Sequence, residues 1–112
     1  MNHPVVRWEI NAEDPERLQA FYAGLFGWAV ARPYPGSSYA LVDTGPAGIP
    51  GGIGPEPHHG TRIYVEVDDV AGTLQRAREL GATYTEGPAD LGGFTLGVLD
   101  DAEGNRVGLV QR

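Results

Sequence analysis

Cysteine is missing altogether from the 112 residues, and with it go disulfide scaffolds, thiolate metal sites and cysteine nucleophiles. Redox chemistry by the protein's own thiols is excluded. Lysine is missing too: all eight basic residues are arginines, set against fifteen acidic ones for a formal charge of -7. That surplus repels the phosphates of nucleic acids and anionic membranes, so neither is an expected partner. No apolar run approaches the ~20 residues of a membrane span, and the N-terminal residues lack a basic segment leading into an apolar one. These absences describe a cytoplasmic protein. The length fits one domain, able to bury roughly 65% of the surface its unfolded chain exposes.

What is present organises itself around residues 7–28. Alternation over residues 5–10 puts Val6, Trp8 and Ile10 on one face of a strand and Val5, Arg7 and Glu9 on the other. Asp14, Pro15 and Glu16 form a helix start: an acceptor for orphan N–H groups, a proline with pre-set φ, and an acid at the positive end of the dipole. Leu18, Phe21, Tyr22, Leu25 and Phe26 follow at helical spacing, and the stripe is expected to lie on the Trp8/Ile10 face. Gly27 stops the helix. Strands are then expected over residues 28–32 and 39–44, with a short one near residues 51–54. The surrounding glycine-rich segment is no phosphate loop, because Pro55 and Pro57 follow where a helix would have to start.

The plan then repeats. Residues 62–67 alternate, with Ile63, Val65 and Val67 on one face and Arg62, Tyr64 and Glu66 on the other. Asp68 or Asp69 caps a helix whose stripe is Val70, Leu74, Ala77 and Leu80, and Gly81 ends it. A short strand over residues 83–86, a loop over 87–93, a strand over 94–99, a turn over 100–105 and a strand over 106–111 complete the chain. Strand, helix and three strands, twice over, predict an α+β fold of paired βαβββ modules, with helices on one face of a curved mixed sheet and a cleft on the other. We take residues 1–112 as a single domain, with module one at about 4–54 and module two at about 61–112.

The ordered set of Asp14-Pro15, Phe21-Tyr22, Phe26-Gly27-Trp28, Val65-Glu66-Val67-Asp68-Asp69-Val70 and Asp101-Ala102-Glu103-Gly104-Asn105 resembles the vicinal oxygen chelate superfamily over nearly the whole chain. That superfamily groups glyoxalase I, bleomycin-resistance proteins, fosfomycin-resistance enzymes and extradiol dioxygenases. The resemblance implies a divalent metal held in the cleft by histidine and glutamate, and a homodimer, which exposed sheet edges also favour. Carried over residue by residue, the four ligand positions fall on Arg7, on one of Gly51, Gly52 or Ile53, on Arg62, and on Gly108. Guanidinium offers only donors and glycine no side chain, so the expectation is no metal and no other cofactor.

Arg7 and Arg62, at equivalent positions, would suit an anionic or oxygen-rich ligand, or would simply pair with Glu9 and Glu66. Glu9 and Glu66 are the candidate general bases, with arginine pairing as the alternative. Tyr39 and Tyr64 either stack on a ligand or pack the sheet. The adjacent His58 and His59 read as a solvated loop rather than a chelating pair, with a lid as the alternative, and Trp8, Trp28, Phe21 and Phe26 read as core. Three functions remain open. One is a metal-independent small-molecule binder of bleomycin-resistance type. Another is a lyase, isomerase or dioxygenase-like enzyme, metal-free or with ligands such as His58, His59 and Glu66. The third is a structural protein with a vestigial cleft.

Overall fold

The first helix starts and stops where its sequence signals say, and the second starts at its aspartate. A computed structural model describes residues 2–57 and 60–112, so His58 and His59 lie outside the described residues. In α1 (Pro15–Phe26) the Asp14 side chain accepts from the Arg17 N–H at 3.3 Å, and Gly27 closes the helix at φ 71°, a left-handed conformation that favours glycine. In α2 (Val70–Glu79) it is Asp69, not Asp68, that caps, accepting from the Gly72 N–H at 3.1 Å. The elements follow the expected order: β1 (Val5–Asn11), α1, β2 (Ala29–Ala31), β3 (Ala40–Asp43), β4 (Gly51–Gly54), β5 (Gly60–Glu66), α2, β6 (Tyr84–Asp90), β7 (Thr95–Asp100) and β8 (Arg106–Gln111). The fold is α+β, with paired βαβββ modules. No described helix is long and apolar enough to cross a membrane.

The chain divides into two compact units, Arg7–Thr61 and Met1–Val6 with Arg62–Arg112. In the first, strands lie in the order β2-β3-β4-β1, antiparallel except for the parallel β4/β1 pair. On one face the Trp8 indole covers Gly51, and Trp8, Trp28, Tyr22 and Phe26 form a chain of ring contacts with centroids 5.1–6.0 Å apart. Helix α1 docks differently from its apolar stripe. Its buried residues are Pro15 and Gln19, while Phe21, Leu25 and Phe26 are more than half exposed, so Phe21 and Phe26 are not core residues. The cause is Gln19, whose amide donates to the carbonyls of Ser38 at 2.7 Å and Ile53 at 3.0 Å and thereby turns the helix.

In the second unit the order is β5-β8-β7-β6, with β5/β8 parallel. Val67, Val70, Leu74 and Leu109 form its core, joined by Val65 and Leu99. Gly97 lets α2 approach closely, since a Cβ there would meet Val70 Cγ1 at 2.6 Å. Gln111 ties β8 to the helix by accepting from the Val70 N–H at 2.9 Å. Two expectations need correction. Leu80 lies past the helix end and is exposed. Strand β6 continues to Asp90 through a bulge between Glu86 and Ala89, where a loop was expected from residue 87, because the ladder with β7 resumes beyond the irregularity. On β5, Ile63 is 44% exposed whereas Arg62 and Tyr64 are 6% and 8% exposed. Tyr64 is buried because its ring lies over Gly108, where no side chain competes.

Candidate functional site

Arg7, Glu9 and Asn11 share one face of β1 by alternation, opposite the Trp8 side. Across β4, Gly52 pairs with Glu9 and Gly54 with Asn11, and the Tyr39 ring lies over both glycines. A Cβ on Gly52 would fall inside the envelope of the Tyr39 hydroxyl and 2.9 Å from Nη2 of Arg7. Glycine at this position is thus what admits the tyrosine. Arg7 donates to the Tyr39 hydroxyl at 2.6 Å, and that hydroxyl donates to Oε2 of Glu9 at 3.0 Å. Glu9 is buried. Burial first, then the negative charge of Glu9, pushes the Tyr39 hydroxyl well above the ordinary tyrosine value, with Arg7 opposing. Tyr39 therefore stays protonated between a cation and an anion. Asn11 is buried as well, and neither its Nδ2 nor its Oδ1 has a hydrogen-bond partner among the described residues.

The same face opens into a cavity of about 480 Å³ lined by Arg7, by Ala29, Val30 and Ala31 of β2, by Leu41, Val42 and Asp43 of β3, and by Pro50 and Gly51. Arg7 is its one basic residue and Asp43 its one acidic residue. The sequence reading missed Asp43 and Leu41. The signal was available, since the alternation that places Tyr39 on this face places residues 41 and 43 there too.

In the second unit the candidate residues have different surroundings. Glu66 pairs with Arg112, whose Nε lies 2.6 Å from Oε2 and holds the carboxyl below its ordinary value. Tyr64 covers Gly108, and the buried Nε of Arg62 has no hydrogen-bond partner among the described residues. The structure thus brings Arg7, Glu9 and Tyr39 into one hydrogen-bonded set and Glu66 into another with Arg112.

The metal implied by the resemblance does not fit these residues. Tyrosine rings fill the space that a side chain at Gly52 or Gly108 would need, and the other two positions carry guanidinium. Among the described residues no group of three or more His, Asp or Glu side chains is arranged to hold an ion.

Comparison with known proteins agrees with the architecture. The glyoxalase-like domain family matches residues 7–110. A glyoxylase-like domain-containing protein from Didymella fabae is 31% identical over 110 residues, covering 87% of this chain and 84% of that protein. Among solved structures, a glyoxalase/bleomycin resistance protein/dioxygenase superfamily member from Vibrio splendidus 12B01 superposes with TM-score 0.70 at 17% identity, covering 99% of this chain and all of that one. Methylmalonyl-CoA epimerase from Mycobacterium tuberculosis superposes with TM-score 0.61 at 15% identity, covering 97% and 86%. The chain belongs to the glyoxalase-like domain family, within the vicinal oxygen chelate superfamily.

Proposed function

We propose that this protein binds a small anionic or oxygen-rich molecule without the family's metal, as a single domain of two modules and as a homodimer. The observation that carries the reading is Arg7, a permanent cation at the wall of an otherwise largely apolar cavity in a protein of net charge -7. Apolar walls bury a ligand's body, and a single guanidinium with donors to spare orients an oxyanion. A vestigial cleft would be filled by its own side chains, and an open cavity argues against that. Homodimerisation draws support from β2 and β6, each paired on one side only among the described strands, and light scattering giving the monomer mass at micromolar concentrations would refute it.

The direct test is Arg7→Met, which keeps most of the stem's bulk. A metabolite library screened by thermal shift should yield acidic ligands whose affinity falls about tenfold or more in the variant, the loss of a charged hydrogen bond, while the ligand-free melting temperature stays close to the parent's. Equal affinity in both proteins would discard the site.

A second reading has its own support. Tyr39, held neutral and bonded to buried Glu9, is a ready proton relay, so a metal-free isomerase or lyase with Glu9 as base stands as the alternative. Turnover that disappears in Glu9→Gln while ligand binding persists would select it, and Glu66, engaged by Arg112, would then be dispensable.

A further inference from the structure

Strand register places the cavity's two charges in one row. Ala29 pairs with Asp43, Val42 with Gly51, and Gly51 with Trp8. One step along each strand aligns Asp43, Pro50 and Arg7 across β3, β4 and β1, all on the face opposite Trp8. Adjacent strands lie ~4.8 Å apart, so the backbones of Asp43 and Arg7 are about 10 Å apart, with apolar Pro50 between them and Leu41 and Ala31 beside them. No ion pair joins Arg7 to Asp43 among the described residues. The Asp43 carboxylate is also held in place, Oδ1 accepting from the Gly45 N–H at 2.8 Å. Arg7 likewise spends one donor on Tyr39 and keeps others.

We infer that the ligand is bipolar, with an anionic oxygen group taken by Arg7 and a protonated amine, or a comparable cationic donor, taken by Asp43, two strands away, across an apolar body. This rests on the anion-binding reading of Arg7 and adds the class of molecule. A single exposed carboxylate suits an ammonium that brings its own hydrogens and is too little for a metal ion. It also gives selectivity, because a purely anionic competitor would meet the Asp43 charge at the far end.

The test compares three probes on the intact protein by calorimetry at low ionic strength: ω-aminooctanoate, whose two charged ends are separated by an apolar chain, octanoate, and octylamine. The parent should prefer ω-aminooctanoate over octanoate by about threefold or more, the range of a partly exposed ion pair, and bind octylamine weakest. Asp43→Asn, which keeps the acceptor for Gly45, should bring ω-aminooctanoate and octanoate to parity without weakening octanoate. Arg7→Met should weaken both about tenfold. Octanoate binding as tightly as ω-aminooctanoate in the parent, or a preference that survives Asp43→Asn, overturns the bipolar ligand while leaving Arg7 as an anion site. Carboxylate binding that ignores Arg7, or no carboxylate binding at all, overturns both readings.

Discussion

The two units apply one device to different ends. Each sets a tyrosine ring over a strand glycine, Tyr39 over Gly52 in the first and Tyr64 over Gly108 in the second. In the first unit the ring's hydroxyl joins a cation to a buried carboxylate beside an open cavity. The second unit's helix instead docks through fully buried Val70 and Leu74, where the first unit's helix docks through a glutamine amide and leaves Phe21, Leu25 and Phe26 exposed. Both units bury apolar side chains, Ala40, Val42 and Ile53 in the first and Val67, Val70, Leu74 and Leu109 in the second, so the difference lies in how the helix docks and in the polar set beside the first unit's cavity.

The largest expected effect separates the two helices. Leu74→Ala should cost about 2 to 5 kcal/mol by urea unfolding, as a fully buried leucine does, whereas Leu25→Ala on the exposed face of α1 should fall within about 0.5 kcal/mol. Comparable losses would erase the contrast. Next comes Gln19→Ala, which strands the carbonyls of Ser38 and Ile53 and should cost roughly 1 to 3 kcal/mol. A neutral result would mean that apolar contacts, not the amide, hold α1.

Gly52→Ala and Gly108→Ala sharpen the comparison further. Each added methyl displaces a tyrosine ring, so both variants should lose on the order of 1 to 3 kcal/mol. Only Gly52→Ala should also weaken ligand binding, because it separates Tyr39 from Arg7 and Glu9. Equal effects on binding would deny the first unit its special role.

The smallest effect concerns acid. Hydrogen bonds from the Asn105 side chain and from the Asn105 and Glu103 N–H groups hold the Asp101 carboxyl below its ordinary value of 3.8. A lowered folded value contributes stability that is present above 3.8 and lost as the pH falls through that lowered value. Asp101→Asn should therefore lower the melting temperature slightly at neutrality and flatten its dependence on pH below about 4, so that variant and parent converge in acid. An unchanged acid slope would show that the turn does not depend on this charge.

Much of the fold was legible because its signals are local. Asp14-Pro15 and Gly27 bracket α1, and the alternation in β1 and β5 identifies both strands. The docking of α1 was not legible, because a stripe of apolar residues draws the eye and Gln19 reads as surface until the carbonyls of Ser38 and Ile53 arrive from strands distant in sequence. Sheet packing was one of two readings open for Tyr64, and nothing local decided between them: the vacancy above Gly108 exists only once β5 and β8 are paired. Of the candidate site, Arg7, Glu9 and Tyr39 could be named from alternation, but their hydrogen-bonded order depends on Gly52, which the sequence offers only as a missing ligand.

Residues 2–6 group with the second unit, and the Pro4 carbonyl accepts from the Glu66 N–H at 2.9 Å. That gives the halves of this protein different histories on the ribosome. Arg7–Thr61 is one continuous run that can gather as it emerges, whereas the other unit includes residues made before that run and must wait for Glu66 to be added before Pro4 has its partner.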